Sequence, residues 1–408
     1  MDLYVSLLLI AELALALWLL HRQGLIKKPN TFFCCFAALL IAFSLRLLFI
    51  EHRSGDYNDF LVPWVEFFRY KGGFAGLGQS VGNYNPPYLY FLALFSYFDV
   101  EPLYLIKLTS ILFDVLLAWV SMKITEKCGG GNRAQIFAFL GVLLLPTVIL
   151  NGACWAQCDS IYVFFGLLAL YFAMDERPCL SLAALALSLS FKLQAVFIMP
   201  LWFVLLLCKK IKPWQLFIFP AAYALVLLPP MLAGRPPLEV LTVYFNQAGT
   251  VGDALNYNSA SLFSIIGWNI TDTALWSKLA VGMAFFFVLL VFVFAYTGRK
   301  SMTNPKLLGF ALLFVIGIPF LLPHMHDRYF YFADILSFIL VCVSPEFFLV
   351  PCLAEFASFQ CYYAYLNLRY LIHPRYAGIA MALALAGTLI YLLWRNIEGK
   401  KKKTQNNS

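Results

Sequence analysis

The chain has few charged residues: only 12% of its 408 residues are Asp, Glu, Lys or Arg, whereas 62% are apolar. A soluble globular domain carries about 25% charged residues. Mean hydropathy is +0.79, and apolar runs of about 17–25 residues recur along the chain, which is typical of helical membrane proteins rather than of barrels. We therefore expect an all-α polytopic membrane protein, and the net charge of +8 does not indicate a nucleic-acid partner.

Several other patterns are missing. The apolar start, Met1–Leu20, lacks the basic segment of a cleavable signal and is predicted to be a first span. The ten cysteines show neither metal-ligand nor disulfide spacing, so we interpret them as apolar packing residues. There is no evident internal repeat, which argues against a secondary transporter, and no glycine-rich loop of the kind that binds nucleotide phosphates.

We predict a single transmembrane domain over residues 1–396, a bundle of about 11–13 helices, followed by a basic cytoplasmic tail at 397–408. A large first external loop occupies about 51–102. Among the short segments, one pair could form a re-entrant hairpin instead of two spans. The predicted spans are 3–20, 31–50, 103–124, 134–150, 160–174, 178–190, 195–208, 214–231, 277–296, 306–322, 329–343, 346–364 and 376–394.

The basic residues predict the orientation. Alternate joints between spans and the carboxyl-terminal tail carry 18 of the 29 Lys and Arg residues, so the positive-inside rule makes them cytoplasmic. The amino terminus is then external and the carboxyl terminus internal, and the tail lysines would contact anionic lipid. The basic joints are "HRQGLIKKPN", "KITEKCGGGNR", "DERP", "CKKIKPW" and "YTGRKSMTNPK".

Nearly all residues capable of acid–base or anion chemistry fall on the opposite, external face. A purely structural membrane protein has no reason to collect acids, bases and cations on one side. We therefore expect an active site there, at the plasma membrane of the cell. These residues are Asp56, Asp59, Asp159, Lys192, His324, His326, Asp327 and Arg328.

The first external loop offers two carboxylates, Asp56 and Asp59, in the stretch "GDYNDF". Three residues apart, they would share one face of a helical turn. Either could be solvated or cap a helix, but Gly55 allows a close approach to Asp56 and the aromatic neighbours would partly desolvate it. A carboxylate so placed suits proton removal from a hydroxyl nucleophile. Further along, "GNYNPPYLYF" contains two prolines, which we expect to preclude a regular helix and to shape a loop.

The stretch "CWAQCDSIY" contains Trp155, Gln157 and Asp159. Asp159 could be the N-cap of the next helix, and Trp155 could be an interfacial anchor or a platform for a sugar ring. In "FKLQ", Lys192 is costly at membrane depth unless it is paired or faces water. It either snorkels outward or supplies a counter-charge for an anion, with Gln194 nearby.

The stretch "PHMHDRYFY" is the densest cluster. His324 and His326 are two residues apart and do not share a helical face, so a zinc site is disfavoured. His326 with Arg328 suits a phosphate better, because Arg offers paired donors. The alternative is an interfacial collar of aromatic and basic residues. The polar turn "GDALNYNSASLF" could shape a substrate groove or simply be a loop.

Taken in order, "GDYNDFLVPW", "NYNPPYLYF", "NGACWAQCDSIY", "SFKLQAVFIMP" and "LLPHMHDRYFY" resemble a known family. They are similar to bacterial membrane glycosyltransferases of the GT-C fold that are related to the second mannosyltransferase of GPI-anchor synthesis. The plan also resembles the dolichyl-phosphate-glucose-dependent glucosyltransferases of N-glycan assembly. The resemblance covers about residues 50–335.

The resemblance implies transfer of one hexose, such as mannose or glucose, from a polyprenyl-phosphate donor to a hydroxyl of a glycolipid or glycan acceptor. It implies that Asp56 is the catalytic base and that the late histidine motif corresponds to His326-Asp327-Arg328. This chain has Asp327 where the family usually has Glu, and Ala156 where it usually has Gly. The stretch from about 84 to 98 is implied to lie along the membrane without crossing it.

We expect an inverting reaction in which Lys192, His326 and Arg328 neutralise the departing phosphate. The remaining expected substrate contacts are Tyr84, Asn85, Gln157, Asp159, Gln194 and Asp59. No cofactor is expected and no obligatory metal, although Asp56 and Asp59 could hold a divalent cation. The rival hypotheses are a flippase or transporter of a lipid-linked sugar and a non-catalytic membrane scaffold.

Overall fold

The computed structural model describes residues 3–248, 252–267 and 270–405, and these residues form a helical bundle. The only strands among them are β1 (Asn256–Tyr257) and β2 (Met325–His326), which pair in parallel. In chain order the helices are α1 (Leu3–Arg22), α2 (Pro29–Leu47), α3 (Val62–Tyr70), α4 (Pro86–Phe95), α5 (Pro102–Lys127), α6 (Asn132–Leu144), α7 (Pro146–Ile149), α8 (Asp159–Met174), α9 (Pro178–Phe191), α10 (Pro200–Leu207), α11 (Ile218–Val226), α12 (Leu228–Leu232), α13 (Pro237–Leu241), α14 (Val243–Ala248), α15 (Leu262–Ile266), α16 (Thr273–Thr297), α17 (Asn304–Leu321), α18 (Tyr331–Val343), α19 (Leu349–Asn367) and α20 (Arg375–Gln405).

The lengths of these helices confirm an all-α polytopic membrane protein. Among the described residues six helices are long and apolar enough to cross a bilayer, and a seventh span arises if α6 and the segment Pro146–Cys154, bent by 48° at their junction, are counted as one. The six are α1, α2, α5, α16, α17 and the Arg375–Ile397 part of α20. The other predicted spans coincide with shorter apolar helices and with α19, so the full count of 11–13 stays a prediction. Helix α20 continues into the predicted tail.

Prolines begin many of these helices, because their missing N–H and fixed φ suit the first helical turn. Pro86 and Pro87 begin α4 in this way, with Asn85 as the extended N-cap residue. Our expectation that this pair precludes a regular helix is therefore wrong: the prolines set where the helix starts. At ten residues, α4 rises about 15 Å, half of a hydrocarbon core of about 30 Å. This fits the expectation that residues 84–98 do not cross the bilayer.

Helices α5, α8, α9, α17 and α18 form the centre of the bundle. Of the most apolar 18-residue stretch of each helix, 83% is buried inside the protein in α17 but only 22% in α16. Helix α16 leaves apolar side chains such as Phe285 and Leu289 on the surface. Apolar side chains on the outside of a membrane protein face lipid, whose tails are as apolar as the side chains. The centre of the bundle is thus protein-packed, and α1, α2 and α16 form part of its periphery.

The joints rich in basic residues meet at one end of the bundle. Lys127, at the end of α5, pairs with Asp175, at the end of α8, and Arg177 pairs with the same carboxylate at 2.9 Å. Asn304, which begins α17, donates to the backbone oxygen of Lys127 at 2.9 Å. The other ends of α5, α8 and α17 lie at the opposite end of the bundle. The predicted external segments that adjoin these helices are therefore gathered there.

A buried ion pair connects three helices inside the bundle. Arg46 of α2 donates to Asp114 Oδ2 of α5 from Nη2 at 2.9 Å and from Nε at 3.2 Å, and both side chains are fully buried. Its Nη1 donates to the backbone oxygen of Leu143 in α6 at 2.8 Å. An isolated charge at this depth is expensive, so each partner depends on the other.

We expect Asp114→Leu to destabilise the protein by about 3–5 kcal/mol, because it leaves Arg46 buried and unpaired. The double variant Arg46→Leu/Asp114→Leu should recover part of that loss, because it removes both charges. Thermal unfolding in detergent measures both effects. A double variant less stable than Asp114→Leu would contradict this prediction.

Candidate functional site

A pocket of about 340 Å³ opens at the end of the bundle opposite the basic joints. Its walls come from six parts of the chain that are distant in sequence: the first external loop, the turn before α8, the segment after α9, helix α14, the loop between α17 and α18, and the end of α19. Polar and charged lining residues are Asp56, Asn83, Tyr84, Asn85, Gln157, Lys192, Gln194, Tyr244, Gln247, His326, Asp327, Arg328, Tyr329 and Tyr365.

Backbone contacts fix the position of Asp56. After α2 ends, Lys107 Nζ of α5 donates to the backbone oxygens of Phe49 and His52 at 2.7 and 2.5 Å. Ser54 Oγ then donates to the backbone oxygen of Trp155 at 2.6 Å and accepts from the backbone N–H of Tyr57 at 3.2 Å. This serine caps the turn that carries Asp56 and joins the first loop to the turn before α8.

The carboxylate of Asp56 accepts three hydrogen bonds from neutral donors. Trp155 Nε1 donates to Oδ2 at 2.9 Å and Gln157 Nε2 to the same oxygen at 2.6 Å, while the Tyr365 hydroxyl donates to Oδ1 at 2.6 Å. The Trp155 and Tyr365 rings stack with centroids 4.0 Å apart. Hydrogen bonds to both oxygens fix the orientation of the carboxylate.

The turn before α8 has an irregular backbone that places Trp155 and Gln157. It begins with the π-helical turn Leu150–Cys154, in which Gly152 lets the chain pack against Ser110 of α5; a Cβ at position 152 would lie 3.2 Å from Ser110 Cβ. Ala156 then has φ of +63°, in the left-handed region that favours glycine. Alanine adopts that conformation at a cost of about 1–2 kcal/mol.

Two cations line the other side of the pocket. Lys192 Nζ pairs with Asp159 Oδ1 at 2.5 Å, both side chains being buried, and lies 3.4 Å from Gln157 Oε1. Burial opposes the charge of Lys192, but Asp159 beside it raises the pKa of the ammonium above its usual value. Asn151 Nδ2 donates to the second oxygen of Asp159 at 2.7 Å. Lys192 is therefore a fixed ammonium at the pocket wall.

Arg328 is placed between three carboxylates without hydrogen-bonding any of them. Its Nη1 lies 3.6 Å from Asp56 Oδ2 and 3.6 Å from Asp327 Oδ1, and its Nε lies 3.6 Å from Asp159 Oδ2. The guanidinium carbon is 5.0 Å from the centre of the Trp155 ring. Buried Nε has no hydrogen-bond partner among the described residues, so Arg328 keeps donor capacity for an anion in the pocket.

The loop between α17 and α18 is tied to the polar turn at 252–263. His324 has φ of +61°; its Nδ1 lies 2.7 Å from the backbone oxygen of Ala254 and its Nε2 lies 3.1 Å from Ser277 Oγ. His326 belongs to β2, and its ring stacks on Tyr257 of β1 with centroids 4.7 Å apart. His324 thus fixes the loop, and His326 faces the pocket.

Burial and the adjacent Arg328 lower the pKa of His326 to about 4. Near neutral pH its imidazole is therefore neutral, whereas we had expected a positive charge at this position. A neutral imidazole can still donate one hydrogen bond to a phosphate oxygen. The permanent positive charges of the pocket are those of Lys192 and Arg328.

The predicted site residues come together with two exceptions. Eight of them line one pocket: Asp56, Tyr84, Asn85, Gln157, Lys192, Gln194, His326 and Arg328. Asp159 lies behind the wall, where it pairs with Lys192. Asp59 is exposed and does not line the pocket.

Four of the alternatives that the sequence left open do not apply. Asp159 lies in the first turn of α8, whose N-cap is Cys158, and there is no side-chain cap bond. Lys192 is buried against Asp159 and does not snorkel. Trp155 is fully buried, so it is neither an interfacial anchor nor a sugar platform; it donates to Asp56 instead.

Sequence reasoning missed Tyr365, Asn151 and the pocket position of Asp327. Tyr365 lies one residue beyond the predicted span 346–364, and its separation of three residues from Tyr362 places both on one helical face. Tyr362 accepts from Asn151 at 2.9 Å. This tyrosine spacing in α19 was the available signal; the role of Asn151 had none.

Among the described residues, no three His, Cys, Asp or Glu side chains are grouped so that they could hold a metal ion. What the pocket offers is a carboxylate oriented by three donors, with Arg328 3.6 Å from it and the buried ammonium of Lys192 in the same lining. No protein-family model matches the chain, and no curated protein matches it significantly.

The left-handed conformation of Ala156 gives a test of the turn. We expect Ala156→Gly to leave the free energy of unfolding unchanged or to raise it by about 1 kcal/mol, because glycine adopts positive φ without strain. The matched control is Ala153→Gly, also fully buried but in the helical part of the turn, where glycine costs about 1 kcal/mol. Thermal unfolding in detergent should rank Ala156→Gly above Ala153→Gly; the reverse order would contradict the assignment.

Proposed function

We propose that this protein is a membrane glycosyltransferase of the GT-C type, which transfers a hexose from a polyprenyl-phosphate donor to a hydroxyl of a glycolipid or glycan acceptor. The observation that carries the proposal is the arrangement of Asp56, oriented by three donors, opposite Lys192 and Arg328 in one pocket. It agrees with the motif resemblance, which assigns the base to Asp56 and the phosphate contacts to the late histidine motif.

The proposed reaction needs a base and an anion site a few ångströms apart. Asp56 removes the proton of the acceptor hydroxyl, whose oxygen attacks the anomeric carbon from the side opposite the phosphate, so the configuration inverts. Arg328 and Lys192 stabilise the charge that develops on the leaving phosphate. Neutral His326 contributes a hydrogen bond.

The geometry of the bundle supports an external site. The pocket lies at the end opposite the basic joints, which the positive-inside rule makes cytoplasmic. A donor with its tail in the bilayer would present its phosphate at this boundary, and the apolar lining residues Phe60, Leu61 and Phe191 would contact the lipid-proximal part. These observations support a site on the external face, and we propose the plasma membrane as the location.

The first experiment compares membranes containing the wild type, Asp56→Asn or Asp59→Asn. Each is supplied with radiolabelled polyprenyl-phosphate mannose, glucose and galactose, and label is followed into larger lipid or polymer. We expect one hexose to be consumed by the wild type, with a loss of about 10²–10⁴-fold in Asp56→Asn because the base is removed. Asp59→Asn, the exposed neighbour outside the pocket, should keep the wild-type rate.

Two outcomes would contradict the proposal. If Asp56→Asn matches the wild type at equal expression, Asp56 is not the base. If no donor is consumed while intact vesicles move labelled lipid across the bilayer, the protein is a flippase.

We expect activity to persist after incubation with a chelator. Both oxygens of Asp56 already accept hydrogen bonds from protein donors, and the pocket cations occupy the place that a metal would take beside the phosphate. The measurement is donor consumption by wild-type membranes with and without EDTA. Loss of activity that added Mg²⁺ or Mn²⁺ restores would show that a cation is required.

A further inference from the structure

Two carboxylates approach the same nitrogen of Arg328 but differ in their surroundings. Asp56 Oδ2 and Asp327 Oδ1 each lie 3.6 Å from Arg328 Nη1. Asp56 accepts hydrogen bonds on both oxygens, from Trp155, Gln157 and Tyr365. Asp327 is 4% exposed, and its buried Oδ1 has no hydrogen-bond partner among the described residues. The surroundings of Asp327 favour its protonated form, because burial without a hydrogen bond to Oδ1 opposes a charge there.

The two cations of the pocket are offset by two other carboxylates, so neither is left to offset a charge on Asp327. Lys192 and Arg328 offset Asp56 and Asp159, so an ionised Asp327 would give the pocket a net charge of about −1 before any substrate binds. The donor is itself a phosphodiester with one negative charge. Binding this anion is easier when Asp327 carries a proton, because a like charge in a buried site is then absent.

On the basis of the proposed function, we propose that Asp327 is the general acid of the transfer: it carries a proton while the donor binds and gives that proton to the phosphate as it leaves. The residue adjoins His326 and Arg328, where the phosphate would bind, whereas the donors that hold Asp56 come from the turn before α8 and from α19. Paired carboxylates in contrasting environments are a known way to separate acid and base roles.

The step balances in atoms and charge. The acceptor oxygen forms a bond to the anomeric carbon and its proton passes to Asp56. The bond from that carbon to the phosphate oxygen breaks, its electron pair stays on the oxygen, and the proton of Asp327 is added there. The product is polyprenyl monophosphate with one charge, whereas without this proton it would leave as a dianion. The cycle closes when Asp56 loses a proton to water and Asp327 gains one.

The electrostatic surroundings of Asp327 agree with this assignment. Burial raises the pKa of Asp327 to about 7, with Arg328 opposing the shift and Asp56 and Asp159 adding to it. The carboxyl is thus mostly protonated below pH 7 and loses its proton above it. The other titratable groups that interact with it are Cys361 and Tyr365 of α19, and Tyr329. His326, with a pKa of about 4, does not titrate in this range.

The test measures donor binding and turnover between pH 6 and 9 in nanodiscs, with polyprenyl-phosphate mannose and glucose as probes. Wild-type affinity should fall by about tenfold per pH unit above the pKa of Asp327, because only the protonated fraction binds well. Asp327→Asn, which resembles the protonated acid, should bind the donor without that dependence and lose roughly 100-fold in turnover. Asp327→Glu should keep the pH dependence, with its midpoint shifted, and recover part of the turnover.

The binding measurement separates this inference from the proposed function. Asp56→Asn should lose turnover yet keep pH-dependent donor binding, because its Asp327 is intact. If a hexose donor is consumed but Asp327→Asn retains either the wild-type turnover or the wild-type pH dependence of binding, Asp327 is not the acid and the transferase proposal stands. If no donor is bound or consumed by the wild type, both proposals fail.

Discussion

The carboxylate of Asp56 accepts hydrogen bonds from Trp155, Gln157 and Tyr365, which lie 99, 101 and 309 residues further along the chain. A partly buried carboxylate is stable only when such donors replace water. Three distant segments must therefore be in register before Asp56 can occupy its position. The Ser54 bond to Trp155 and the stack of Trp155 on Tyr365 serve the same end. The first external loop is thus a fixed wall of the pocket.

The cations depend on this arrangement in turn. Arg328 lies against the Trp155 ring and between three carboxylates, and Lys192 is buried against Asp159. A carboxylate so fixed cannot move to meet a substrate, and neither can an ammonium with a buried partner. Catalysis by such a site would rest on preorganised charge, which costs little reorganisation when the reaction occurs. The donor phosphate would have to enter a pocket already built for it.

Much of the fold and of the site could be predicted from the sequence, because both depend on strong local signals. Long apolar runs identified the helices, and the collection of acids and cations on one face pointed to Asp56, Lys192 and Arg328. What failed depended on tertiary context. The prolines at 86 and 87 begin a helix, which depends on the conformation of Asn85. Asp59 lies within a π-helical turn, is exposed and does not line the pocket. Tyr365 reaches Asp56 only through the packing of α19.

Two π-helical turns, Tyr57–Leu61 and Leu150–Cys154, lie directly beside the residues that position Asp56. A π-turn contains one residue more than the α-helix it interrupts, and it shifts all that follows by about 100° around the helix axis. Deleting a single residue from either turn would restore a regular helix that is more stable locally. It would also rotate Asp56, or Trp155 and Gln157, out of the pocket. The position of Asp56 in the pocket therefore depends on how many residues these two turns contain, and not only on which residues they are.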